Sequence, residues 1–220
     1  MLTFDELNRL NRNAEQRSMD IEDYFDEMEL EDDERQDRKE CAEKMHERIF
    51  FFLALLYILL TENELQESEQ ETKLRIENEL TDILKEYTYP DYMETERVRK
   101  YASDFVDATA RRFEKFRDEP EKLAYWFSDD RARLNAEEEV NTIFNHEQYR
   151  NAIDIGFKYK QWITMKDERV RPTHAEVDDL VVPIGQPFIV GGYPMEYPRD
   201  DSLGAPVSEI AGCRCSVEYY

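Results

Sequence analysis

Glycine and proline are distributed very unevenly along this chain of 220 residues. All six glycines lie at or after Gly156, and six of the eight prolines lie beyond it, whereas residues 35–65 contain neither type. Because both residues interrupt helices and favour turns, this division predicts an α+β protein. We expect an N-terminal helical arm or bundle, followed by a small, turn-rich, β-containing C-terminal module.

Two Ser/Thr-x-x-Glu sequences have the form of a capping box, in which two side chains satisfy free backbone donors at a helix start. Thr3 with Glu6 predicts a first helix over about residues 4–17. Ser68 with Glu71 predicts the start of a later helix.

A long helix is predicted over residues 35–65 because no breaker interrupts it. It contains the apolar run IFFFLALLYILL, from Ile49 to Leu60. Twelve residues are fewer than the roughly 20 that a membrane-spanning helix needs. We expect this run to be buried on all sides, by its own fold or by a neighbouring subunit.

Two further helices carry apolar stripes at helical spacing and are separated by Tyr89-Pro90-Asp91. Such helices are expected to pack as an antiparallel pair. The stripes are Ile76, Leu80, Ile83, Leu84 and Tyr87, then Val98, Tyr101, Ala102, Phe105, Val106, Phe113 and Phe116. One more helix is predicted over residues 128–144, with a short helical piece to about Gly156.

Short apolar segments between the turns of the C-terminal part predict β-strands at residues 161–164, 180–182, 188–190 and 216–219. The sequence thus suggests three regions: an acidic helical region (1–127), a helical connector (128–157) and the C-terminal module (158–220).

The chain is strongly acidic, with 52 Asp and Glu against 29 Lys and Arg and a net charge of -23. Residues 20–34 contain ten acids and no base. Such a block is typical of a solvated face, and less often of a docking arm for a basic partner. The charge argues against direct nucleic-acid binding, because phosphate backbones repel the molecule.

Three cysteines, at positions 41, 213 and 215, do not form a disulfide framework. We therefore expect a reducing compartment. The first residues, MLTFDELNRL, lack a basic segment followed by a long apolar one, so we expect no secretory signal and no export.

The C-terminal part carries several uncommon elements in a fixed order: Trp-Ile-Thr, Asp-Glu-Arg-Val-Arg-Pro-Thr-His, Phe-Ile-Val-Gly-Gly, Tyr-Pro and Cys-Arg-Cys. This order resembles the C-terminal domain of Mu F-like phage head morphogenesis proteins, also called minor head or minor capsid proteins. The resemblance reaches back to Arg131-Ala132-Arg133-Leu134, Ala136 and Glu139, and so covers roughly the last 90 residues. The motif residues are Trp162, Thr164, Asp167, Arg169, Arg171, His174, Asp178, Phe188, Gly191, Gly192, Cys213, Arg214 and Cys215.

Two positions depart from the family pattern. Asp179 stands where the family has Gly, and Gly212 stands where Asn usually precedes Cys-Arg-Cys. Both residue types suit turns, since Asp tolerates left-handed backbone geometry and Gly favours it.

A metal site is one hypothesis for the motif, because His174, Asp178, Cys213 and Cys215 offer ligands that zinc accepts. The Cys-x-Cys spacing is tighter than the usual gap of two to four residues, and Asp is an uncommon structural ligand. We therefore expect no cofactor, with buried cysteines acting as small apolar residues, and keep zinc as the alternative.

A nuclease or toxin-like hydrolase using His174 and Arg171 is the enzyme hypothesis. No nucleophile with a partner base and no phosphate-binding glycine loop accompanies them. A factor that contacts lipid through the apolar run is a third hypothesis, which the length of the run disfavours.

The favoured interpretation is structural, with no catalytic residues. Ion pairs of Asp167, Arg169 and Arg171 would hold a small fold together, while Trp162 and Phe188 anchor its core. The resemblance implies a phage or prophage minor head protein of the virion, assembled in the bacterial cytoplasm next to portal or capsid proteins. We expect partner contacts or self-association through the helices, and neither sequence-specific nucleic-acid binding nor membrane insertion.

Overall fold

The computed structural model describes residues 2–11, 21–88 and 95–220, and it confirms the α+β class. Helices dominate the N-terminal part, and short antiparallel strands lie in the C-terminal part. The helices are α1 (Phe4–Asn11), α2 (Ile21–Asp26), α3 (Asp32–Glu62), α4 (Leu65–Tyr87), α5 (Thr95–Phe116), α6 (Pro120–Trp126), α7 (Asp129–Ile155), α8 (Pro172–Ala175) and α9 (Val207–Ile210). The strands are β1 (Tyr159–Ile163), β2 (Val181–Pro183), β3 (Phe188–Val190), β4 (Tyr193–Met195) and β5 (Ser216–Tyr219).

The predicted capping box at the start of α1 is confirmed. The backbone N–H of Thr3 donates to Glu6 Oε2 at 2.8 Å, and the N–H of Glu6 donates to Thr3 Oγ1 at 3.2 Å. Two free donors of the first turn are thereby satisfied. The predicted continuation over residues 12–17 lies outside the described residues.

The second predicted capping box is wrong. Helix α4 begins at Leu65, three residues before Ser68. The Ser68 hydroxyl instead donates to the backbone oxygen of Glu64 at 3.1 Å, one turn earlier. A hydroxyl inside a helix commonly bonds the carbonyl four residues before it, so the same residue pattern has a different role here.

The long helix α3 is confirmed. Its own fold does not bury the apolar run on all sides, and burial by a neighbouring subunit stays a prediction. Phe52 and Leu56 are fully buried, whereas Phe51 is 40% exposed and Ile58 is 48% exposed. More than three helical turns of apolar residues exceed the one face that packs on the core. No described helix is long and apolar enough to cross a membrane.

Helices α4 and α5 form the predicted antiparallel pair. Lys73 and Glu77 of α4 form ion pairs with Asp107 and Arg99 of α5, at 2.7 Å and 3.1 Å. Residue numbers rise along one helix as they fall along the other, which defines the antiparallel arrangement. The connecting residues 89–91 lie outside the described residues.

Helix α7 is continuous, so the predicted division at residue 144 is wrong. Residues 129–155 contain no glycine or proline that would stop it. The Ser128 hydroxyl accepts the backbone N–H of Arg131 at 3.1 Å and caps the helix start.

The chain divides into two compact units. The first comprises residues 1–19, 40–87 and 94–137, and the second comprises residues 20–39, 88–93 and 138–220. The three regions suggested by the sequence stay a prediction.

All four predicted strands are present in the second unit. Strand β1 lies between β2 and β5 in an antiparallel sheet, with Trp162 opposite Val217 and Lys160 opposite Val182. Strands β3 and β4 form a separate hairpin. The sequence analysis missed β4 and the two four-residue helices, α8 and α9.

Candidate functional site

Three motif side chains converge in the core of the second unit. His174 Nδ1 lies 3.5 Å from Cys215 Sγ and 3.6 Å from Cys213 Sγ. One potential ligand atom from each residue lies within 4.8 Å of the other two. All three side chains are buried, with exposed fractions of 2–3%. We refer to His174, Cys213 and Cys215 as the His-Cys-Cys cluster.

The Cys-Arg-Cys segment places both thiols on one side of an extended chain that leads into β5. Alternate residues of an extended chain face the same way, so Cys213 and Cys215 point inward and Arg214 points outward. Arg214 Nη2 donates to Asp167 Oδ2 and its Nη1 donates to Glu27 Oε2, each at 2.6 Å. These ion pairs fix the segment from its outer side.

His174 lies in the short helix α8 and has a carboxylate behind its ring. Glu209 Oε2 is 3.4 Å from His174 Nε2 and accepts a hydrogen bond from Thr173 Oγ1 at 2.8 Å. The His174 Nε2 contact does not meet hydrogen-bond geometry. The carboxylate thus lies near Nε2, while Nδ1 of the same ring faces the two sulfurs.

Gly191 lies against the same carboxylate. A Cβ added there would lie 2.9 Å from Glu209 Oε1, and the backbone φ is +59°. Both the close approach and the left-handed geometry favour glycine. Gly192 also has positive φ, at +87°, but has open space around it.

Trp162 packs against the histidine of the cluster. Its ring is fully buried and makes edge contacts with the His174 and Phe188 rings, at centroid distances of 5.6 Å and 5.2 Å. Its Nε1 has no hydrogen-bond acceptor among the described residues. Trp162 Nε1 is directed toward Cys215, where its N–H favours the thiolate form of that side chain.

The two thiols influence each other's ionisation. A hydrogen bond from Cys215, assisted by His174, lowers the pKa of Cys213 well below the ordinary value for cysteine. The bond to Cys213 and the burial of its own sulfur raise the pKa of Cys215. The shared hydrogen bond therefore shifts the two pKa values in opposite directions.

Asp178, Asp167 and Arg171 bond to backbone groups rather than to atoms of the cluster. Asp178 Oδ1 accepts the backbone N–H of Thr164 at 2.9 Å, and Asp167 Oδ1 accepts that of Arg169 at 3.0 Å. Arg171 donates to the backbone oxygen of Ala211. Asp178 is thus not among the atoms that converge with His174.

The two departures from the family pattern lie at turns with left-handed geometry. Asp179 has a φ of +59° and Gly212 has a φ of +67°. The expectation that both residue types suit such turns is confirmed.

Sequence analysis missed several charged residues that hold the site. Glu27, from the acidic block, pairs with both Arg214 and Arg169. Lys160 is fully buried and donates to Glu196 Oε2 and to the Glu196 backbone oxygen, at 2.7 Å and 2.8 Å. Within the acidic block, Tyr24, Phe25 and Met28 are buried. These apolar residues among the acids are a sequence signal that the block packs against the rest of its unit.

The geometry is unsuited to the enzyme hypothesis. A histidine between a thiol and a carboxylate can activate a nucleophile, but both sulfurs are buried away from any substrate. For phosphodiester cleavage, Arg171 would need a free guanidinium, and its guanidinium binds the Ala211 backbone oxygen.

Comparison with known proteins gives one family. No curated protein and no solved structure matches the chain. Residues 107–218, just over half of the chain, match the family described as Phage Mu protein F like protein. The match begins within α5, before the region in which the motif resemblance was seen, and extends through the Cys-Arg-Cys segment into β5. The chain belongs to the Phage Mu protein F like family.

Proposed function

We propose that the protein is a minor head protein of a phage or prophage, that it acts structurally in capsid assembly, and that it associates with the portal protein. The observation that carries this proposal is the family match over residues 107–218. The virion would be its final location and the bacterial cytoplasm its place of assembly.

The charge of the molecule supports a location near packaged DNA. With a net charge of -23, the surface repels phosphate backbones instead of binding them. A structural protein inside a capsid then would not compete for the DNA that enters it.

Exposed apolar side chains on the helices of the first unit supply a candidate contact surface. Ile58 of α3 is 48% exposed and Leu74 of α4 is 55% exposed. Isolated apolar residues are common on protein surfaces, so their role has to be tested by substitution.

The test is co-expression of the tagged full chain with its cognate portal protein, followed by affinity purification at physiological salt. We expect the two proteins to co-purify, and the double variant Ile58→Asp, Leu74→Asp to retain much less portal protein. The matched control is Glu62→Gln with Glu67→Gln, which alters exposed acidic residues of the same two helices. Light scattering on the chain alone measures self-association through the same surface.

Absence of portal protein from the purified sample would contradict portal association. Retention of portal protein by the double variant would place the contact elsewhere on the chain. Cleavage of RNA or DNA by the native chain, lost in His174→Ala, would instead support the hydrolase hypothesis.

A further inference from the structure

The His-Cys-Cys cluster leaves polar atoms without adequate partners in the described core. His174 Nδ1 faces two sulfurs at nearly equal distances, 3.5 Å and 3.6 Å. One ring nitrogen carries at most one hydrogen or one lone pair, so it cannot form two full hydrogen bonds. A cation bound between the nitrogen and the two sulfurs would be coordinated by all three atoms.

The distances agree with those of a tetrahedral zinc site. Zinc lies about 2.0–2.1 Å from histidine nitrogen and about 2.3 Å from thiolate sulfur. At tetrahedral angles these bond lengths separate nitrogen from sulfur by about 3.5–3.6 Å. The two observed nitrogen–sulfur separations have these values, and the three ligand atoms all lie within 4.8 Å of one another.

The Cys-x-Cys spacing, which argued against a metal at the level of sequence, has a structural explanation. The usual gap of two to four residues suits cysteines in a turn. Cys213 and Cys215 instead lie on an extended segment, where a spacing of two directs both sulfurs to one side. The ion pairs of Arg214 with Asp167 and Glu27 hold that segment in place.

Two neighbouring groups match what zinc ligands need around them. A metal-bound histidine usually directs its other ring nitrogen to a carboxylate, and Glu209 Oε2 lies 3.4 Å from His174 Nε2. The unpartnered, fully buried Nε1 of Trp162 is directed toward Cys215 and could donate to a bound thiolate. Two thiolates would also neutralise the double charge of the ion, which suits a buried site.

We propose that His174 Nδ1, Cys213 Sγ and Cys215 Sγ bind one Zn²⁺ ion. Asp178 is not a ligand, since it does not belong to the group of residues whose ligand atoms converge. The ion would join α8 to the segment before β5 and stabilise the second unit. The proposal is independent of portal association.

The test starts with the full chain purified without chelators from cells grown with added zinc. We expect one zinc ion per chain by elemental analysis, and X-ray absorption showing two sulfur neighbours and a nitrogen neighbour. After exchange into Co²⁺, the spectrum should show the thiolate charge-transfer bands of a tetrahedral site. These three measurements need no variant and do not depend on how a substituted chain folds.

Variants then locate the site. Cys213→Ser and Cys215→Ser should each lose most of the bound zinc, whereas Cys41→Ser, which alters the third cysteine far along the sequence, should retain it. Circular dichroism and gel filtration check that each variant is folded. Metal-free native chain that also fails to bind Co²⁺ would overturn the proposal. So would a Cys213–Cys215 disulfide found by mass in the native chain, or zinc retained in both folded cysteine variants.

Discussion

The two compact units are stabilised by different kinds of contact. The core of the first unit contains an aromatic cluster in which Tyr57 packs against Phe113 and Phe127, at centroid distances of 6.0 Å and 5.2 Å. The ion pairs among its described residues lie largely on helix surfaces, as between Arg117 and Glu114. The first unit buries the carboxylate residue Glu137, whereas the second buries a larger set of charged residues: Arg38, Glu139, Glu147, Lys160, Arg199, Asp200 and Arg214.

This difference predicts which substitutions destabilise each unit. A surface ion pair contributes little because solvent screens it. A buried charge has lost its hydration and depends on every partner that replaces water. The second unit should therefore be sensitive at polar positions, whereas the first should be sensitive mainly at apolar ones.

The largest expected effect is a loss of stability on replacing a buried arginine, compared with replacing an exposed one. Arg38 is fully buried and binds Glu34, Asn141, Asn145 and Gln148, whereas the side chain of Arg117 is 50% exposed. Arg38→Met leaves buried acceptors unpaired, so we expect a loss of about 3–5 kcal/mol in the free energy of unfolding. Arg117→Met should change it by less than about 0.5 kcal/mol.

Urea unfolding measures both values, and hydrogen exchange of peptides from residues 138–220 locates the effect of Arg38→Met. Equal effects of the two substitutions would remove the distinction between the units.

A smaller effect is expected at three glycines of the second unit. Gly191→Ala meets both a φ of +59° and the Glu209 carboxylate, so we expect a loss of about 2–3 kcal/mol. Gly192→Ala meets only a φ of +87°, which should cost about 1 kcal/mol. Gly185→Ala meets neither and should be neutral or stabilising by up to about 1 kcal/mol.

Thermal and urea unfolding measure the order of stability of the three variants. A Gly185→Ala variant as unstable as Gly191→Ala would show that the turns respond to any side chain, irrespective of φ and of the contact with Glu209.

The sequence predicts those helices and strands whose residues follow a recognisable apolar pattern. The long helices follow from uninterrupted apolar periodicity, and the four strands follow from apolar segments between prolines and glycines. The four-residue helices α8 and α9 are too short to show a period. Exposure of Phe51 depends on which face of α3 the rest of the unit covers, and local sequence does not encode that.

The site was predicted in part. The sequence indicates His174, Cys213 and Cys215 together, and their side chains converge, but the Cys-x-Cys spacing by itself does not show that both sulfurs face His174. Asp178 was grouped with them because sequence does not show that the Thr164 N–H occupies its carboxylate. Glu27 and Arg214 are 187 residues apart, and nothing local to either residue indicates their pairing.

The smallest expected effect separates two copies of one sequence pattern in the first unit. Thr3 and Ser68 both begin a Ser/Thr-x-x-Glu sequence, but only Thr3 caps a helix, while Ser68 bonds the Glu64 carbonyl within α4. Thr3→Ala should destabilise the chain by about 0.5–1 kcal/mol. Ser68→Ala should be neutral or slightly stabilising, by up to about 0.5 kcal/mol, because alanine favours helix interiors.

Hydrogen exchange at the Glu6 amide should accelerate in Thr3→Ala and stay unchanged in Ser68→Ala, since Thr3 Oγ1 accepts that N–H. Equal destabilisation by the two substitutions would mean that the helical unit responds to the sequence pattern itself, and not to the position of each helix start.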